Sequence, residues 1–151
     1  MAVLTQTSFH PKTIGDFSVG DSFAFKRVVS DADVRAFAQV SGDHNPIHLD
    51  DEYAKSTRFG GRIAHGALLV AFISKVLGMD LPGLGAVYLS QAIEFLKPVY
   101  VGDEIEVRVR VDQVDREQRV LSISNEITSS RGHAVARGLS KIKLPRVQSN
   151  G

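Results

Sequence analysis

The chain has 151 residues, 43% hydrophobic and 23% charged, and its 18 basic and 17 acidic side chains leave a net charge of +1. That length suits one domain with a sizeable core, and the near-neutral balance gives neither a nucleic-acid footprint nor an acidic tail. Cysteine is absent, which excludes disulfides, a thiolate nucleophile, a cysteine zinc site and an iron–sulfur cluster.

Residues 1–16 form a polar lead-in that lacks the apolar core of a signal peptide. The longest apolar run, Ala67–Ile73, is far short of the roughly 20 residues that cross a bilayer. A cytoplasmic protein with no membrane or nucleic-acid partner is therefore expected. Residues 17–146 read as one domain and 147–151 as a tail, with no internal repeat. Ser22–Val29 is a first strand. Ser30 then caps a helix, with Asp33 at the capping-box position, and Gly42 closes it. Asp43–Leu49 contains Asn45-Pro46 and reads as an ordered loop. Asp50, Asp51 and Glu52 open a short helix that runs to about Thr57.

Gly66 leads into Ala67–Leu77, apolar almost all round and closed by Gly78, a pattern that demands burial on most sides. Gly83-x-Gly85 lacks the third glycine of a nucleotide fingerprint and is a turn. Val87–Leu96 fits helical spacing too, but its neighbours favour a long strand. Ile105, Val107, Val109 and Val111 alternate with polar residues, and Leu121, Ile123 and Ile127 continue the period of two. His133–Leu144 is a last strand, whose small face of Ala136, Gly138 and Ser140 invites close approach by a helix. One apolar helix followed by antiparallel strands is α+β, and a hotdog, a sheet wrapped around that helix, buries it economically. The exposed edge strand of such a sheet predicts a homodimer.

The densest chemistry lies in Ser41-Gly42-Asp43-His44-Asn45-Pro46-Ile47-His48. Asp43 and His48 sit five residues apart on a turn stiffened by Pro46, so a carboxylate and an imidazole can share one water. The plainer alternative is that Asp43 caps loop amides and His48 is a satisfied, half-buried side chain. At His65-Gly66 the first amides of the apolar helix lack internal acceptors and favour a carbonyl or anionic oxygen, unless Gly66 serves packing alone. Ser74 is either a buried serine bonded back to the Val70 carbonyl or a substrate contact. His44 and His48 have helical ligand spacing, but Pro46 lies between them, so no metal is expected.

The segment from Phe37 to His48, followed by Tyr53-Ala54, resembles the hydratase 2 motif of the MaoC-like family of (R)-specific enoyl-CoA hydratases. Arg62-Ile63-Ala64-His65-Gly66, Leu81-Pro82-Gly83 with Tyr88-Leu89, and Pro98-Val99-Tyr100-Val101-Gly102-Asp103-Glu104 resemble later family segments. The similarity covers about Phe17 to Leu144, and in length and wording it favours the short hydratases that supply (R)-3-hydroxyacyl-CoA for polyhydroxyalkanoate synthesis. It implies a hotdog homodimer that adds water to trans-2-enoyl-CoA without a cofactor. By that resemblance Asp43 and His48 hold the catalytic water. A carboxylate suits the part of base, which leaves His48 to orient the water and give or relay a proton to C2, and the reverse assignment stays open because the pair can titrate together. The Gly66 amide receives the thioester oxygen, and Ser74, His65 and Asn45 surround the substrate. Arg58, Arg62, Lys75 and Lys97 are candidates for the coenzyme A phosphates or plain surface charge. The rivals are a (3R)-hydroxyacyl-ACP dehydratase, a hotdog thioesterase using Asp43 against the thioester carbon, and a catalytically silent acyl-binding subunit.

Overall fold

A computed structural model describes residues 11–147. Most of the lead-in and the end of the tail lie outside the described residues. Its last part is a 3-10 turn at Ile14–Asp16, where Ile14 packs on the core and Phe17 is buried. Contact with the core thus begins slightly before residue 17.

Strand β1 spans Ser22–Val28 and helix α1 spans Asp31–Ser41. The capping box forms as expected: Asp33 N–H donates to Ser30 Oγ at 3.1 Å and Ser30 N–H to Asp33 Oδ2 at 3.1 Å. Gly42 closes the helix in the left-handed region, at φ 80°, where a glycine costs least. The expected loop after it contains one helical turn, α2, at Pro46–Leu49. Proline, which disfavours helix before itself, is well suited to the first helical position, where no intrahelical acceptor awaits its missing N–H. Helix α3 follows at Asp51–Lys55, capped by Asp50, and ends one short turn earlier than expected.

Helix α4 spans Gly66–Met79. Gly78 does not end it. The helix runs one residue past it, to Met79, and closes there with Asp80 N–H bonded to the Val76 carbonyl. Leu68, Leu69, Phe72, Ile73, Val76 and Leu77 are buried, but Ala67, Ala71, Ser74, Lys75 and Met79 are exposed. The expectation of burial on most sides therefore fails along one stripe of the single chain.

Strands β2 (Val87–Phe95), β3 (Glu104–Asp115), β4 (Val120–Ser129) and β5 (Ala134–Lys143) complete an antiparallel sheet of order β1-β3-β4-β5-β2. It wraps α4, giving the α+β hotdog. Ile105, Val107, Val109, Val111, Leu121, Ile123 and Ile127 all face the core, as their alternation requires. Strand β2 is an edge with a bulge between Tyr88 and Ser90, and Val87, Leu89 and Phe95 on it are each more than half exposed. No helix among the described residues is long and apolar enough to cross a membrane.

The small face of β5 serves a different purpose from the one its pattern suggests. Helix α4 lies closest to β3 and β2, and the space over Gly138 holds a polar quartet. Gln91 Nε2 donates to Asn125 Oδ1 at 2.8 Å, Tyr88 Oη donates to Gln91 Oε1, and the single Ser140 hydroxyl proton is shared between Gln91 Oε1 and Asn125 Oδ1, the latter at 3.0 Å. Ser140 and Asn125 are buried, so this network must be satisfied internally. A Cβ on Gly138 would stand 2.3 Å from the Ala92 carbonyl and 2.6 Å from Gln91 Nε2. Gly138→Ala is therefore expected to destabilise the protein by about 1–3 kcal/mol or more, read as a lower urea midpoint. An unchanged midpoint would contradict this packing.

Candidate active site

Two stretches of chain, 43–48 and 62–65, lie side by side and hold one another through alternating groups. Ile63 N–H donates to the Ile47 carbonyl at 3.3 Å, Arg62 Nη1 donates to the His48 carbonyl at 3.2 Å, and His48 Nδ1 bonds the Ile63 carbonyl at 2.7 Å. Farther along, His65 Nε2 bonds the Asp43 carbonyl at 3.1 Å. The second stretch is itself fixed to residues 99–101 by Ala64 N–H to the Val99 carbonyl and Val101 N–H to the Arg62 carbonyl.

A carbonyl oxygen only accepts, so His48 carries its proton on Nδ1 and His65 on Nε2. On His48 this leaves Nε2 as the ring nitrogen open to a ligand. Asp43 is exposed in the single chain. Its N–H donates to Ser41 Oγ and its carboxylate accepts Asn45 N–H at 3.2 Å, while Asn45 Oδ1 caps α2 through Ile47 N–H. The bland role of Asp43 as a loop cap is thus real, and it leaves carboxylate lone pairs for a ligand. One side-chain atom each of Asp43, His48 and His65 lies within 4.8 Å of the others, a span that one water can bridge.

The same three residues have the composition of a metal site. The His48 and His65 rings, however, are stacked, with centroids 3.8 Å apart and planes inclined by 28°. The two ring planes are thus nearly parallel and about a stacking distance apart, so an ion about 2.1 Å from a nitrogen of each would sit well outside the plane of at least one ring. The arrangement fits a shared water better than a tetrahedral cage.

His65 is the most enclosed of the group, at 2% exposure, between His48 and Phe37, whose ring centroid is 4.7 Å away. Burial is the main reason its pKa falls below the ordinary 6.5, and the neighbouring His48 charge acts in the same direction against the Asp43 carbonyl bond. Gly66 follows at the first position of α4, where its N–H has no intrahelical acceptor. A Cβ there would stand 3.0–3.2 Å from the Phe95 ring. The close approach that glycine permits is, within this chain, that of Phe95.

The other expected site residues are not gathered here. Ser74 lies two turns farther along α4, roughly 12 Å by helical rise. It is exposed, has no hydrogen bond to Val70 among the described residues, and lines a cavity of about 70 Å³ with Leu77, Gly78, Ala86, Tyr88 and Ile142. Arg62 differs most from its expected place on the surface. Its side chain is only 11% exposed, and it pairs with Asp31 at 2.7 Å and Asp51 at 2.9 Å, tying α1 to α3 across the His48 carbonyl. Lys75 pairs with Asp80 at 2.8 Å and lies over the Phe25 ring. Arg58 and Lys97 are exposed and enter no ion pair among the described residues.

The MaoC like domain matches residues 16–131. The chain belongs to this family. A 3-hydroxybutyryl-CoA dehydratase of Methylorubrum extorquens is 43% identical over 87% of this chain and 83% of its own. The solved structure of the (R)-hydratase of Aeromonas caviae, involved in PHA biosynthesis, is 36% identical and superposes with a TM-score of 0.83 over 85% of this chain and 98% of its own. A mitochondrial 3-hydroxyacyl-[acyl-carrier-protein] dehydratase of Arabidopsis thaliana is 44% identical over 58% of this chain and 51% of its own. Hydration and dehydration are two directions of one reaction, and this MaoC-like chain is accordingly a hydro-lyase, a hydratase or dehydratase.

The lowered pKa of His65 makes folding stability depend on pH. Its unfolded form binds a proton more readily than its folded form, so stability is lost as pH falls from the unfolded value of 6.5 toward the folded one. Asp31 and Asp33, held low by Arg62 and Arg27, withdraw their stabilisation only below their own ordinary value of 3.8. Thermal melts from pH 7 downward are expected to fall less steeply below 6.5 in His65→Phe than in the wild type. Parallel curves would contradict the assignment.

Proposed function

We propose that this chain is an (R)-specific enoyl-CoA hydratase, which adds water to trans-2-enoyl-CoA to give (R)-3-hydroxyacyl-CoA. The observation that carries the reading is the convergence of Asp43 and His48 beside the start of α4, with each held by residues 62–65. Hydration of a conjugated thioester needs a base for water, an acid for C2 and a donor for the enolate oxygen. It needs no cofactor.

Asp43, acting as a carboxylate base, takes a proton from the water as its oxygen bonds to C3. The C2–C3 electron pair moves onto the thioester oxygen, where the Gly66 N–H and the positive end of α4 stabilise the enolate. His48 in its doubly protonated form delivers the Nε2 proton to C2, the carbonyl re-forms, and the proton taken up by Asp43 returns to His48 through a water. C3 thus gains a hydroxyl and C2 a proton, the elements of one water in all, both from the same face. Asn45 and His65 hold the Asp43 turn, Ser74 meets the acyl tail, and Arg58 and Lys97 are the basic side chains available to the phosphates of coenzyme A.

A second chain completes the site. Asp43 is open to solvent in one copy, and beside the bare stripe of α4, which ends on Met79, the chain exposes Val87 and Leu89 on the edge β2 and Leu96 just after it. Such a face requires cover. We infer a homodimer, working in the cytoplasm, in which the partner supplies the missing wall. Sedimentation at micromolar concentration is expected to give twice the chain mass, and a fully active monomer would rule the dimer out.

The second reading is a (3R)-hydroxyacyl-ACP dehydratase, which the Arabidopsis relative favours and which uses the same residues on a different carrier. Loss of enoyl absorbance from crotonyl-CoA should be seen with purified protein alone, giving the (R)-alcohol. Asp43→Asn and His48→Ala should each lower turnover on the order of 10²–10⁴-fold without unfolding. Faster turnover of the matched carrier-protein thioester would favour the second reading. Thiol release from saturated acyl-CoA with no absorbance change would mark a thioesterase, and inert protein a silent acyl-binding subunit.

A further inference from the structure

We propose that His65 is a positioning residue of this site, its Nε2–H holding the Asp43 main chain and its ring backing the His48 imidazole so that both groups meet on one water. The inference rests on the reading of Asp43 and His48 as the reacting pair. His65 touches both by different means, a hydrogen bond of 3.1 Å to the Asp43 carbonyl and a stack of 3.8 Å on His48. At 2% exposure it belongs to the wall behind them and offers no surface to substrate.

His65 also carries an orphan atom. His65 Nδ1 is the one buried side-chain nitrogen or oxygen without a hydrogen-bond partner among the described residues. Such atoms are uncommon and need a reason, since an unsatisfied buried polar group costs about 1–3 kcal/mol. A phenyl ring would fill the space between Phe37 and His48 with no orphan. What imidazole has and phenyl lacks is the N–H that holds the Asp43 carbonyl. That tether fixes the residue whose carboxylate must reach the water, where a misplacement of about 1 Å can cost 10²-fold in rate. Burial also keeps the ring neutral, which leaves Nδ1 as a bare lone pair and avoids a second unpaired N–H.

The test is steady-state hydration of crotonyl-CoA by the full chain carrying His65→Ala, His65→Gln or His65→Phe, each normalised to its folded fraction. His65→Ala should lose about 10- to 100-fold in kcat with KM within about 2-fold of the wild type. Gln, which restores a donor, and Phe, which restores the ring, should each recover part of that loss. The pH profile of kcat should change in all three, since it reports the geometry and charge of the pair. Wild-type kcat and pH profile at reduced stability would mean a merely structural ring and overturn the proposal. So would a rise in KM with kcat unchanged, which would make His65 a substrate contact. Should Ala fail to fold, Gln and Phe decide alone, and wild-type kcat in both is the overturning result. Asp43→Asn run alongside separates two failures. If it turns over like the wild type, the reading of the pair falls and this inference with it; if it is inactive while the His65 variants match the wild type, only the inference falls.

Discussion

The candidate site depends on the bond from His48 Nδ1 to the Ile63 carbonyl, 2.7 Å long and nearly buried. It orients the ring, fixes which nitrogen carries the permanent proton, and so decides which one faces exchangeable chemistry. The bond exists only because residues 62–65 run beside 43–48, and they do so because 62–64 are pinned in turn to residues 99–101. A site assembled from turns and one-turn helices thereby acquires the rigidity of a sheet margin. Arg62 adds to it, because its guanidinium draws the starts of α1 and α3 together across the carbonyl of His48 itself.

That arrangement explains which parts of the site could be read in the sequence. Asp43 and His48 were legible because they are close in the chain, on a turn whose Ser41, Asn45 and Pro46 announce local hydrogen bonds and a fixed φ. The role of Ile63 was not, since a main-chain carbonyl is the same in every residue. Arg62 reads as a surface cation by type, and only the folded chain brings Asp31, thirty-one positions away, to its Nη1. At Gly66 the sequence leaves substrate approach and packing both open, and within this chain the neighbour is Phe95, from an edge strand far along the chain.

The fold was legible for a related reason. Alternation in β3 and β4 and the cap signals around α1 are local, and each agreed with the global arrangement, as expected of a minimally frustrated sequence. The departures are local and small. Helix α4 runs one residue beyond Gly78, to Met79, and a turn of helix forms after Asn45 because proline suits its first position. The small face of β5 was visible as a pattern, but its occupant, a polar quartet from β2, β4 and β5, involves residues up to 49 positions apart.

The division of labour around α4 follows from these constraints. Its first turn is polar business, with His65 and Gly66 beside the Asp43 loop, and its middle is bonded to the core by Phe72, Ile73 and Val76. Ser74 points away from that core, toward the cavity bordered by Tyr88 and Ile142, on the side that the single chain leaves uncovered. A thioester bound at Gly66 with its acyl tail directed along this helix would therefore pass from a rigid polar end to an open apolar flank. Rigidity is needed where bonds change, and only exclusion of water is needed where the tail lies. A fold that fixes the first within one chain can leave the second to be closed by another, which is how a single small domain can enclose a substrate without a cleft of its own.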